Sequence, residues 1–205
     1  MTDPHGPEAW ERDGPVGSTP LDPDEAAGLI PTWVATRGDL NQVESENIIL
    51  ALDRRRWRHP ATVLLLDDLV VRNLHADMFG KVWCWAGSYR QREVTIGVDP
   101  DRIATCVRDL VDDAKHWFQG ARPMPLDEAG YRFHHRLAQI HPFPNGNGRH
   151  SRAITDLLLL DNHGQPFTWG SADLDVPGGT RNAYIAALRA ADDHDYQPLA
   201  RFVRS

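Results

Sequence analysis

The stretch HPFPNGNGRHSR, residues 141–152, gathers one imidazole, a run of Asn and Gly, and two arginines into twelve positions. Pro142 and Pro144 forbid a regular helix through its start and bias the residue before each toward extended geometry. Gly146 and Gly148 permit tight or positive-φ turns that aim successive backbone N–H groups into one concavity. The apolar, helically patterned residues 153–160 come next, and the first N–H groups of such a helix lack intrahelical partners. A turn at a helix N-terminus attracts phosphate through both the free donors and the dipole. Arg149 and Arg152, three apart, share one face of the first turns, and two guanidinium forks beside a nest of N–H groups suit a polyphosphate better than a single carboxylate. His141, with an ordinary pKa of about 6.5, can accept a proton at neutral pH. A glycine turn or a His-Pro pair alone is more often structural. Their ordered combination points to an anion site with a base beside it.

Several elements must position these groups. Residues 126–140 read as the helix that delivers His141, with Ala129, Phe133, Leu137 and Ile140 as its apolar face, and residues 151–162 as a nearly all-apolar buried helix. Residues 101–118 carry the stripe Ile103, Val107, Leu110, Val111, Ala114 and Phe118. Residues 61–79 form another helix ended by Gly80, with His75 read as a polar residue at the core margin. An amphipathic helix is expected over 39–52, ended by the basic run Arg54 to Arg56, and a short one begins near Asp22. Residues 175–180 read as a turn-rich connection, and 181–190 and 199–203 as further helices. Val94, Ile96 and Val98 alternate with Glu93, Thr95 and Gly97, the period of a half-buried strand and the one convincing β signal. Adjacent His134 and His135 point about 100° apart on a helix, so one metal does not easily take both. A zinc cluster of His134, His141 and His150 has no known ligand spacing, and His150 is read as facing solvent.

Composition narrows the classes. With 205 residues, 41% hydrophobic and 25% charged, residues 21–205 suffice for one domain with its own core, behind a flexible Gly-, Pro- and acid-rich arm over 1–20. A net charge of −7 argues against direct nucleic-acid binding over a broad surface. Cys84 and Cys106 are too few for a disulfide framework. No apolar run reaches about 18 residues and no leader is evident, so a cytoplasmic protein without a membrane span is expected.

The 141–152 stretch resembles the signature of the Fic (filamentation induced by cAMP) family, His-Pro-Phe-x-Asp/Glu-Gly-Asn-Gly-Arg-x-x-Arg. It departs at one fixed position, Asn145, where the family has a carboxylate. The resemblance implies a mainly α fold, a Fic-type helical bundle with one short β-hairpin flap. It also implies transfer of AMP from ATP to a hydroxyl of an unidentified target protein. On that basis His141 is the base, Asn147 with the Gly146 and Gly148 backbone holds the α- and β-phosphates, Arg149 meets the β-phosphate and Arg152 the γ-phosphate. Asn145 stands at the Mg²⁺ position, where an amide oxygen brings no charge and metal affinity should fall. The family's inhibitory helix carries Ser/Thr-x-x-x-Glu-Gly/Asn; Glu44 is its best counterpart here and Glu46 the second, though Leu40 and Gln42 occupy their Ser/Thr positions. A Glu44 to Arg152 pair is expected, against the blander reading of two solvated carboxylates. Trp85-Ala86-Gly87 and Arg90 resemble the lead into the family's flap, which makes residues 91–98, with Val94, Thr95 and Ile96 at the centre, the target-docking segment by strand addition; an edge hairpin covering core is the plainer account. Tyr184 is placed near the adenine or, equally, in the core. Residues 19–31 resemble the branch called mobile mystery protein B, which implies a small helix-turn-helix partner protein. A hydrolase that removes AMP, and a catalytically weak nucleotide-binding regulatory module, are the alternatives.

Overall fold

The computed structural model describes residues 23–58, 67–118, 123–171, 174 and 178–205. The expected arm over 1–20, the first residues of the helix expected from 61, and part of the 175–180 connection lie outside them. The described residues are mainly helical: α1 Pro23–Ala26, α2 Arg37–Arg58, α3 Asp68–Phe79, α4 Ile103–Phe118, α5 Leu126–Ile140, α6 Asn147–Asp161, α7 Gly179–Asp192 and α8 Gln197–Phe202.

Local chemistry starts these helices where they start. Thr36 and Asp39 form a capping box at α2: the Thr36 N–H donates to Asp39 Oδ2 at 2.9 Å and the Asp39 N–H to Thr36 Oγ1 at 3.1 Å. Asp67 caps α3 by accepting the Val70 N–H at 2.6 Å. α2 runs past the arginines expected to end it, because Arg is a good helix former and the next breaker is Pro60. α6 begins within the signature itself, at Asn147, because Gly146 supplies the left-handed turn that launches it.

The element at the centre is α5, which packs on α4, α6 and α8, while α3 touches α2, α4 and α6. The stripes expected from spacing meet here: Phe133, Leu137 and Ile140 of α5, Ile154 and Leu159 of α6, Ile103 and Val107 of α4, and Leu74 and Met78 of α3 are buried in one apolar cluster. Each contributes about 1.5–3 kcal/mol on leaving water. No helix among the described residues is long and apolar enough to cross a membrane.

The expected strand over 93–98 is not formed. Among the described residues the β structure is one isolated bridge, Leu29 with Trp83. The reason lies in Arg90, whose guanidinium is buried beneath the segment and takes the carbonyls a hairpin ladder would have used. Nη1 donates to Arg92 O at 2.8 Å, Nη2 to Val98 O, and Nε to His141 O at 2.7 Å. Residues 91–98 are therefore an irregular loop tied from inside, with Ile96 exposed.

Candidate active site

α5 ends at His141, which adopts the left-handed conformation (φ 52°, ψ 60°) as the helix's C-cap and donates its N–H to Leu137 O at 3.2 Å. A non-glycine residue held there stores modest strain, tolerated when the surroundings over-determine it. Two hydrogen bonds from Arg90 supply that constraint, the guanidinium to His141 O and the backbone N–H to Pro142 O at 2.9 Å. Burial, with the Arg90 charge nearby, lowers the His141 pKa to about 4, so the ring is neutral and able to accept a proton at pH 7.

Four residues later the chain turns into α6. Gly146 has φ 77°, and a Cβ there would lie 2.6 Å from Cζ of Phe79, so both backbone and space require glycine. Gly148 is different: a Cβ would meet nothing closer than Arg152 Nη1 at 3.5 Å, leaving bare backbone facing open space. No side chain caps the N-terminus of α6. The Asn147 side chain, expected to hold phosphate, is instead bonded within the turn. Its Oδ1 accepts the Phe143 N–H at 2.9 Å and its Nδ2 donates to Phe143 O at 2.7 Å, so the Asn147 side chain closes the turn ahead of α6. Asn145 Oδ1 likewise accepts the Gly146 N–H.

Glu44 is buried on the inner face of α2, in line with Leu40, Asn47 and Ala51 at helical spacing. It is therefore not the solvated carboxylate of the blander reading, and Glu46, exposed and accepting from Gln42, is the solvated one. The partner is not the expected Arg152. Glu44 Oε2 lies 2.8 Å from Arg149 Nη2, and Oε1 accepts the Trp83 indole N–H at 2.7 Å. Arg149 also sits over the Phe79 ring at 5.0 Å. Arg152, one turn on, lies over Tyr184, whose hydroxyl is 2.8 Å from His134 Nε2. Tyr184 is thus buried and braces Arg152 from the core side.

Histidine assignments also change. His150, expected at the surface, is fully buried because this face of α6 packs on α3, and its Nε2 pairs with Val71 O at 2.9 Å. His134 is buried and its pKa falls to about 3, chiefly through burial. Among the described residues no three His, Cys, Asp or Glu side chains are grouped to hold a metal.

Four residues support the site in ways that spacing does not reveal. Trp83 and Glu25 are anchors: Glu25 pairs with Arg92 at 2.8 Å and its carbonyl accepts the Trp85 indole N–H at 2.8 Å, fastening α1 to the root of the loop. No periodicity reveals such pairings. Arg90 was noticed only as part of a motif. His75 did carry a signal, since it follows Val71 by four and Leu74 by one on the buried face of α3.

A glycine turn launching α6 without a side-chain cap, the half-buried His141 at the end of α5 and an arginine pair on the first turns of α6 thus meet in one part of a helical domain. Comparison supports the likeness read in the sequence: residues 65–159 match the model of the Fic/DOC family. It is 25% identical over 185 residues to "Protein adenylyltransferase Fic" of Drosophila yakuba, covering 87% of this chain and 36% of that protein. The chain spans about a third of the length of that curated relative. Fic-1 of C. elegans superposes with a TM-score of 0.62 at 22% identity, covering 87% of this chain and 51% of that one. BepC of Bartonella tribocorum, solved with bound AMPPNP, gives 0.65 at 15% identity over 83% and 87% of the two chains.

Proposed function

We propose that this chain is a protein adenylyltransferase, moving AMP from ATP to a hydroxyl side chain of a target protein and restrained by α2 through Glu44. The observation that carries the reading is the open N-terminus of α6, with Arg149 at its mouth occupied by a buried carboxylate where a phosphate would otherwise sit. The names of the curated relatives, and the ATP analogue in the Bartonella structure, support it.

In this reading the backbone N–H groups at Gly148 and its neighbours, with Arg149 and Arg152, bind the phosphates. Neutral His141 accepts the acceptor hydroxyl's proton as the oxygen attacks the α-phosphorus, and the bond to the bridging oxygen of the β-phosphate breaks, releasing pyrophosphate. Donors fixed before reaction stabilise the developing charge. Mg²⁺ would enter on the nucleotide's phosphates, with Asn145 offering at most one neutral oxygen. Residues 91–98, rooted beside His141, present the target, with exposed Ile96 at the rim. Tyr184 acts through Arg152. The helix-turn-helix partner and a cytoplasmic setting belong to the same proposal.

The test is incorporation of labelled AMP into the protein itself, with Mg²⁺ or Mn²⁺, in wild type, Glu44→Gly, and Glu44→Gly with His141→Ala. Label that appears in Glu44→Gly and vanishes with His141 is the expected result. ATP binding without label in any variant would overturn the reading in favour of a regulatory nucleotide-binding module.

A further inference from the structure

His75 lies outside the signature, yet its fully buried ring touches both halves of the site. Nε2 is 3.0 Å from the carbonyl of Asn145, in the turn that launches α6, and Nδ1 accepts the Gly87 N–H at 3.0 Å. Because an amide N–H can only donate, Nδ1 is the unprotonated nitrogen, and the proton sits on Nε2, aimed at Asn145 O. The ring plane is fixed by stacking on Phe143 at 3.8 Å and by Phe79 at 4.7 Å. Gly87 is three residues before Arg90, the residue that holds the His141 carbonyl and ties the 91–98 loop from inside.

We propose that His75 is a positioning residue for the transfer: its imidazole, bridging the Asn145 carbonyl and the Gly87 amide, holds the phosphate-binding turn and the root of the target-docking loop in one register. The proposal rests on the transferase reading above. A side-chain amide cannot replace the ring, since it reaches only one of the two partners from this backbone position. The base and the nucleotide therefore share one mechanical reference, which matters because small misplacements of reacting groups cost large factors in rate.

The ring can be taken apart one nitrogen at a time, in the Glu44→Gly background. His75→Gln keeps a donor for Asn145 and loses the acceptor for Gly87; His75→Asn keeps an acceptor for Gly87 and loses the donor for Asn145. Amide exchange, ATP affinity and the labelling rate at saturating ATP are measured in each, with thermal unfolding alongside. In His75→Gln, exchange should rise in peptides over 86–98 alone, ATP affinity should stay within about threefold, and labelling should slow on the order of tenfold or more. In His75→Asn, exchange should rise over 141–148 and ATP affinity should fall. Exchange that rises in both segments in both variants, in step with lost stability, would reduce His75 to a core residue and overturn the proposal. Exchange unchanged in both variants would overturn it as well. If Glu44→Gly itself takes no label, the transferase reading fails, and the exchange patterns alone decide the tie.

Discussion

Gly146 and Gly148, two positions apart in the same turn, are glycine for different reasons. Gly146→Ala forces a side chain into positive φ and onto Phe79, so unfolding free energy should fall by about 2–4 kcal/mol in a denaturant titration. Gly148→Ala meets no such wall and replaces glycine within a helix, so stability should hold or rise by up to about 1 kcal/mol while ATP affinity drops, because the new methyl stands before the N–H groups. Equal destabilisation by both would contradict this division. Asn145 allows a third test. An Asp there keeps one oxygen for the Gly146 N–H and frees a second, charged one, so Asn145→Asp should transfer faster across a Mg²⁺ titration. An unchanged rate would remove the substitution from the account of activity. At this scale the sequence is most legible for Gly146, whose positive φ the glycine turn predicts. It misplaced the Asn147 side chain because an amide serves equally as ligand and as turn-closing brace, and only the nearby Phe143 backbone decides which.

Among the elements, helix positions followed from apolar spacing, whose physics is local: Ile103 to Phe118 and Leu126 to Ile140 were bounded within a few residues. The loop over 91–98 was not, since its alternation satisfied the strand rule while a single buried guanidinium, remote from any pattern, removed the carbonyls a ladder needs. The registry of α2 against α6 was equally hidden. Spacing put Glu44 on the right face, but whether its carboxylate falls on Arg149 or one turn further depends on how the two helices cross. Trp83, fully buried, shares that carboxylate with Arg149. Trp83→Phe removes one of its donors, so labelling should exceed that of wild type and stay below that of Glu44→Gly, with a stability cost of about 1–3 kcal/mol. Labelling no higher than wild type would detach Trp83 from the restraint.

The whole molecule is built around neutral imidazoles. His75, His134 and His141 all have folded pKa values below the ordinary 6.5, burial being the first cause in each. A depressed histidine pKa means the unfolded chain binds protons first, so this stability is fully present above about 6.5 and is lost as pH falls toward the folded values, about 4 for His141 and about 3 for His134. Half-buried Asp156, whose pKa is raised chiefly by burial, works in the opposite sense. The urea midpoint should therefore drop from pH 7 to pH 4.5, and replacing His134 with Gln should flatten that drop; a midpoint independent of pH over this range would contradict it. A last consequence concerns the way in. Asn47 of α2 donates to the carbonyls of Asp77 and Met78, among the last of α3, and so ties the two helices together. Lifting α2 away would break both of these bonds, whereas moving the Glu44 side chain off Arg149 leaves them in place. In the proposed reading, admission of a nucleotide would then require a side-chain rearrangement at buried Glu44 and no detachment of α2.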